Sequence, residues 1–151
     1  MKRLLAPLMF LTLAGPALAA AAPAATHSVT LHGKRFSAEL ATSDETRARG
    51  LMMRNELAAD HSMLFVFPDT QERWFWMKNT LIPLDILYFD DNRKLVSMQL
   101  DVPPCKADPC PSYPSDRPAR YVLELDAGTA RRIGAAIGDE LTVEGAIGKV
   151  E

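Results

Sequence analysis

The sequence predicts an α+β domain dominated by β-strands, with a strongly bent or barrel-like, mostly antiparallel sheet and two short helices. Short apolar segments of strand length recur along the chain, turn residues separate most of them, and helical signals are confined to two short segments. The longest apolar segment, residues 74–89 (WFWMKNTLIPLDILYF), does not alternate cleanly, so both of its faces need cover. We therefore place this segment in the middle of the sheet.

The start of the chain has the features of an export signal. Lys2 and Arg3 precede an apolar run, and Ala17 and Ala19 supply the small residues of a cleavage site after Ala19. We therefore expect a periplasmic or secreted protein without a stable membrane anchor after cleavage. The expected divisions are a signal peptide, a flexible Ala/Pro-rich leader and one globular domain, at residues 1–19, 20–28 and 29–151.

Charge argues against two classes of partner. The formal net charge is −2, and it becomes −4 when Lys2 and Arg3 are removed with the signal. The remaining charges are scattered and form no basic tract, so nucleic acid and anionic membrane surfaces are poor candidate partners. We expect a monomer that needs no cofactor and whose partner is an unknown small-molecule or envelope ligand.

Both cysteines lie in one short motif, PPCKADPCP. In an exported protein this pair predicts a structural disulfide between Cys105 and Cys110. Closing so short a loop stabilises the fold by about 2 kcal/mol in the chain-entropy model. Thiol exchange would be better served by a two-residue spacing at a helix start, which this motif does not have.

The first half of the mature chain predicts a hairpin, a helix and a strand. The turn His32-Gly33-Lys34 separates two short strands. Thr42 and Glu45 have capping-box spacing, and Gly50 ends the helix that they begin. The predicted elements are strands at 27–31 and 36–40, a helix at 42–49, and a strand at 63–67 closed by a turn at Pro68-Asp69.

The second half predicts strands around a long loop at residues 102–118. Pro83 divides the central segment into two sheet strands, because proline cannot donate to a ladder. The turn Asp90-Asp91-Asn92 makes the strands on either side of it antiparallel neighbours. The predicted elements are strands at 73–79, 84–90, 94–100, 121–125 and 140–143, and a helix at 127–136 that Gly138 stops.

Several of these segments resemble those of a known family, the uncharacterised domain of unknown function 192. The resemblance extends over about residues 29–143 and implies a compact β-rich domain that is often exported. It implies no activity and supplies no catalytic residues. The segments that carry it are GLMMR at 50–54, MLFVF at 63–67, FWMKNTLIPLDILYF at 75–89 and YVLELDAG at 121–128, followed by Ile137-Gly138-Asp139.

The candidate site is the polar group inside the central segment. An ionised Asp85 among apolar residues is costly unless it is paired, so Lys78, Asn79 and Thr80 are its expected partners, with Arg54 as a further one. Such a group is either a structural network that fixes the bend between two strands or a pocket for a sugar-like or peptide-like ligand. Catalytic residues are unknown and no metal site is predicted; the ligand-binding candidates are Trp76, Lys78, Asn79, Asp85, Arg54 and Tyr113.

A small binding or accessory domain is the leading functional hypothesis, and two alternatives stay open. One is a hydrolase of an envelope polymer that uses Asp85, with His61 or Tyr113 as the second group. The other is Cu(I) binding by thioether sulfur, although methionine in apolar segments ordinarily fills a core. The methionines of the mature chain are Met52, Met53, Met63, Met77 and Met98.

Export and crosslinking together predict the mass of the mature protein. Expressed in full in a Gram-negative host, the chain should be recovered from the periplasm beginning at Ala20, with a mass two hydrogens below that of its reduced form. Intact-mass spectrometry with and without reductant measures both properties, and a variant with both cysteines changed to serine is the control. Recovery with residues 1–19 attached, or with two free thiols, would contradict the prediction.

Overall fold

The computed structural model describes residues 27–151, so the predicted signal peptide and most of the predicted leader lie outside the described residues. Within this range, neither helix is long and apolar enough to cross a membrane. The first strand begins two residues before the predicted start of the domain. In chain order the elements are β1 His27–Leu31, β2 Lys34–Ala41, α1 Asp44–Arg49, β3 His61–Gln71, β4 Trp74–Trp76, β5 Leu84–Phe89, β6 Leu95–Val102, β7 Ser112–Pro114, β8 Ala119–Asp126, α2 Thr129–Ile133 and β9 Thr142–Glu144.

Seven strands form one mixed, mostly antiparallel sheet in the order β6-β5-β8-β3-β2-β1-β9. Only β2 and β3 are parallel, and α1 connects them. The two edges of the sheet approach each other at one corner, where the Leu95 N–H donates to the Asp139 carbonyl at 2.8 Å and the Leu141 N–H donates to the Arg93 carbonyl at 2.9 Å. The sheet is therefore strongly bent without closing into a barrel, and the predicted fold class is confirmed.

Both faces of the central strands are covered. Every residue of β5 is buried. Leu87 and Phe89 belong to one apolar cluster, and Ile86 and Tyr88 belong to another on the opposite face. The expectation that residues 74–89 need cover on both faces is confirmed for their second half, which lies between β6 and β8.

The first half of that segment lies outside the large sheet. Pro83 separates two strands, β4 and β5, as predicted, but β4 pairs with β7 in a separate two-stranded sheet, so the placement of the whole segment in the middle of one sheet is wrong. The Phe75 ring meets the rings of Phe65 and Tyr88 edge to face, with centroids 5.0 and 5.9 Å apart. Beyond β4 the chain turns at Asn79, which has a φ of +56°, so no strand continues to residue 79.

Two predicted boundaries in the N-terminal half differ from those observed. Ser43 caps α1 instead of Thr42, because the Thr46 N–H donates to Ser43 Oγ at 3.3 Å and the Ser43 N–H donates to Thr46 Oγ1 at 3.0 Å. Glu45 is not part of the capping box. Strand β3 continues through Pro68, where no turn forms, because its pairing with β8 lapses there and the missing N–H costs no ladder bond.

The C-terminal half differs in two further places. Helix α2 ends at Gly134, which adopts the left-handed conformation with φ +76°, so the predicted helix at 127–136 is too long. Strand β7 lies within the predicted loop at 102–118. The β1–β2 and β5–β6 hairpins and strand β8 are confirmed.

Asp85 is completely buried, at 0 % exposure. Its two carboxylate oxygens accept the Asp101 N–H at 2.9 Å and the Ala130 N–H at 2.8 Å. Ala130 lies in the first turn of α2, whose N-cap Gly128 offers no side chain, so Asp85 caps this helix from β5. These amides take the place of the partners predicted from the sequence, which are Lys78, Asn79, Thr80 and Arg54.

Replacing Asp85 should destabilise the fold. Asp85→Asn keeps one acceptor but turns an amide N–H₂ toward a backbone donor, and we expect it to lower the free energy of unfolding by about 2–3 kcal/mol. Urea denaturation followed by circular dichroism measures this difference. Asp91→Asn, in the exposed β5–β6 turn, is the matched control and should leave stability nearly unchanged. Equal stability of the two variants would contradict the capping role.

Candidate functional site

A cleft opens beside Trp76, between the end of α1 and the β4–β7 sheet. The cleft is narrow, because the space open to the centre of a water-sized sphere is about 30 Å³, far below the volume of pockets that hold a whole drug-sized ligand. At Gly50 φ is +47°, and a Cβ there would lie 3.2 Å from Phe65 Cζ, so glycine is needed at this wall. The cleft has room for one substituent of a larger molecule. Its other walls include Leu51, Met52, Phe75, Thr80 and Glu124.

Glu124 is the unusual residue of this cleft. It lies on the central strand β8, opposite Met63 of β3 and Ile86 of β5. The side chain is only 5 % exposed, and its Oε2 is buried with no hydrogen-bond partner in the described part of the chain. Burial raises the pKa of the Glu124 carboxyl to about 8, so the group is predominantly protonated at neutral pH.

The charged residues near the cleft do not neutralise Glu124. Arg47 donates to the Val66 carbonyl at 2.8 Å and to Asp44 Oδ1 at 2.7 Å. Arg49 is exposed and lies 3.8 Å from Glu45. Among residues 27–151, no ion pair is formed by Glu124. A buried acid without a cation is more stable as the neutral form.

Two tryptophans stand on the outer side of β4. Since Phe75 faces the core, its neighbours Trp74 and Trp76 face away from it, and they are 62 % and 53 % exposed. Lys78 Nζ lies 5.7 Å from the centre of the Trp76 ring and 3.5 Å from Asp108 Oδ2. Trp76, Lys78 and Asn79 are ligand-binding candidates from the sequence, and together with Trp74 we call them the ligand face.

The disulfide loop forms a second depression next to the ligand face. Cys105 and Cys110 are bonded, with 5.6 Å between their Cα atoms, as predicted. Their loop and the residues Lys78 and Asn79 surround an open depression. The structure thus brings Trp76, Lys78 and Asn79 together between two concavities.

The other candidate residues lie elsewhere. Arg54 forms a double hydrogen bond with Glu39, both at 2.6 Å, and this bond is the main cause that raises the Arg54 pKa. Tyr113 lies in β7, where its carbonyl accepts the Tyr88 hydroxyl at 2.7 Å. Asp85 caps α2, as described above. These three residues therefore do not share one pocket with the ligand face.

The remaining alternatives involve His61 and the methionines. His61 Nδ1 is 2.8 Å from Asp60 Oδ1 at the start of β3. Met63 and Met77 are buried in an apolar cluster, Met98 packs against the other cluster, and Met53 is exposed. The methionines thus occupy unlike environments. In residues 27–151, no group of three or more His, Cys, Asp or Glu side chains could hold a metal ion.

Comparison with known proteins identifies the family. Residues 27–143 match DUF192, which is described as an uncharacterised ACR. The chain belongs to the DUF192 family. No curated protein matches it.

Two solved structures are similar to this DUF192 domain. One, described as a proposed transcription regulator from Sinorhizobium meliloti 1021, is 35 % identical with a TM-score of 0.69, and the match covers 82 % of this chain and 98 % of that one. The other is a protein of unknown function from Novosphingobium aromaticivorans DSM 12444. It is 32 % identical with a TM-score of 0.71, and the match covers 76 % of this chain and 83 % of that one.

Glu124 is the site residue that the sequence interpretation omits. A signal for it is present, because Glu124 is a single acid between Leu123 and Leu125 in the predicted strand 121–125. The same reasoning that selects Asp85 applies to it. The sequence does not show that backbone amides satisfy one of these acids and leave the other without a partner.

The raised pKa of Glu124 predicts a specific pH dependence of stability. Between the ordinary value of 4.5 and about 8, the folded protein retains a proton that the unfolded chain has released. The free energy of unfolding should therefore fall as pH rises through this window, by about 1.4 kcal/mol per pH unit at most, and Glu124→Gln should lack this contribution. Urea denaturation between pH 5 and about pH 9 measures the difference.

The control for this experiment is Glu72→Gln, at an exposed position. Its stability should follow that of the original protein across the pH range. If Glu124→Gln also follows the original protein in parallel, Glu124 does not titrate as inferred.

Proposed function

We propose that this DUF192 domain is an exported, non-catalytic binding domain of the cell envelope and that its ligand is a sugar-like polymer. The observation that carries the proposal is the exposed Trp76 at a cleft whose wall contains the buried carboxyl of Glu124. Exposed aromatic side chains beside a concavity are typical of binding surfaces. A chain segment can lie along the ligand face while one substituent enters the cleft.

The chemistry of the ligand face favours a sugar. The flat indole rings of Trp74 and Trp76 can pack against the apolar C–H faces of pyranose rings, and Lys78 and Asn79 are placed to hydrogen-bond hydroxyl groups. The two tryptophans are about 7 Å apart along β4, because successive strand residues advance by about 3.3 Å. A polymer can therefore contact both indole rings on one side of the strand.

The alternative of a hydrolase receives less support. Glycoside hydrolysis ordinarily uses two carboxyl groups on either side of the scissile bond. Among the described residues that line the cleft, Glu124 is the only one with a carboxyl group. The carboxylate of Asp85 is occupied by backbone amides and has no exposed surface. Binding therefore agrees better with the geometry than catalysis does.

DNA binding is also less favoured, although one similar structure is described as a proposed transcription regulator. The formal net charge of this chain is −2. The basic side chains near the cleft, Arg47 and Arg49, already lie beside acidic partners. A DNA-binding surface ordinarily needs clustered free cations to contact phosphates.

The ligand face makes a direct prediction. The mature protein should sediment with purified peptidoglycan sacculi, and Trp76→Ala should weaken this binding about tenfold or more, because a central aromatic contact is lost. Ile137→Ala is the control, since Ile137 is exposed and apolar but lies after α2. Co-sedimentation at a series of sacculus concentrations gives the affinities. Binding that survives Trp76→Ala unchanged would contradict the proposed function, as would the absence of binding.

A further inference from the structure

We propose that the cleft recognises the N-acetyl group of an amino sugar and that Glu124 donates a hydrogen bond to the acetyl carbonyl. This inference rests on the proposed function, because it assumes that a sugar lies on the ligand face. The N-acetyl group is then the part of the ligand that is recognised, and Glu124 is the residue that recognises this group. The starting observation is that Glu124 lines the cleft and that its buried Oε2 has no hydrogen-bond partner among the described residues.

The Glu124 carboxyl lacks a hydrogen bond that a ligand can supply. A buried polar atom without a partner costs free energy, which a ligand recovers when it supplies the missing bond. Oε2 of Glu124 is such an atom among the described residues. Because the carboxyl is neutral, it can donate its proton to an acceptor, as neutral acids do in apolar enzyme sites. A carbonyl oxygen is a suitable acceptor.

The cleft is small and largely apolar. The side chains of Leu51, Phe65 and Phe75 give the cleft apolar walls. A methyl group fits such walls, and about 30 Å³ of space for the centre of a water-sized sphere is far too little for a complete sugar unit. Trp76 at the same cleft can pack on the sugar ring that carries the group. An acetamido group supplies both a methyl group for the apolar walls and a carbonyl acceptor for Glu124.

Several charged or titratable groups lie around Glu124. Arg47 and Arg49 approach from α1, and each lies beside an acid of that helix, Asp44 or Glu45. Burial raises the pKa of Tyr88 on β5, so its hydroxyl stays neutral. Met63 of β3 lies between Glu124 of β8 and Glu39 of β2 on the same face of the sheet. Glu39 is paired with Arg54. Glu124 is therefore the group in this surrounding that titrates near neutral pH.

Two matched sugars and two variants test the inference. Tri-N-acetylchitotriose carries the acetamido group, and cellotriose has a hydroxyl in its place. Titration calorimetry with the original protein should show a preference of about tenfold or more for the acetylated sugar. Glu124→Gln should keep the preference within about threefold because its amide also donates, whereas Glu124→Leu should bind both sugars alike.

Binding of the acetylated sugar should weaken above about pH 8 in the original protein and stay constant in Glu124→Gln. Equal binding of the two sugars, or loss of the preference in Glu124→Gln, would overturn this inference while leaving the proposed function intact. If neither the original protein nor either variant binds either sugar, the proposed function fails as well. Tighter binding of N-acetyl-alanine methylamide than of either sugar would assign the cleft to a peptide and overturn the glycan ligand. Circular dichroism of both variants confirms that each is folded.

Discussion

The covering of both faces of the central strands is the constraint on which the rest of this structure depends. Strands β5 and β8 lie next to each other inside the sheet, with an apolar cluster on either side. An acid in the middle of either strand is consequently buried, whichever face it points to, whereas Asp126 at the end of β8 is partly exposed. Asp85 and Glu124 are both in this position, and they differ in what surrounds them. Backbone amides of β6 and α2 satisfy Asp85, and it becomes a structural residue. Oε2 of Glu124 has no such donor among the described residues, and Glu124 becomes the polar feature of a cleft.

The ligand face follows from the same burial. Phe75 completes the cover over Phe65 and Tyr88, and its inward orientation forces Trp74 and Trp76 outward. The Tyr88 hydroxyl binds the β7 carbonyl at Tyr113 and so attaches the small sheet to the large one. Burial of Met77 and the turn at Asn79 then place Lys78 beside the Trp76 ring. Exposed aromatic rings are thus held by a rigid core rather than by a mobile loop.

Local signals predicted much of the fold. Apolar runs and turn residues located the β1–β2 and β5–β6 hairpins, and the close cysteine spacing predicted the disulfide. The pairing of β4 with β7 was not predictable in this way, because it joins residues nearly forty positions apart that carry no shared pattern. Of the ligand-binding candidates predicted from the sequence, Trp76, Lys78 and Asn79 lie together, and their role in binding stays a prediction. The partners of Asp85 are backbone N–H groups, which every residue except proline possesses, so residue types could not reveal them.

The central claim is that Glu124 is a neutral acid within reach of the ligand. Carbon-13 NMR of the mature protein labelled at its glutamate carboxyls tests this claim most directly, and the resonance missing from Glu124→Gln gives the assignment. We expect one carboxyl that titrates near pH 8, and a change in its chemical shift when tri-N-acetylchitotriose is added. Titration of every glutamate near its ordinary value, or a Glu124 resonance that saturating sugar leaves in place, would contradict it.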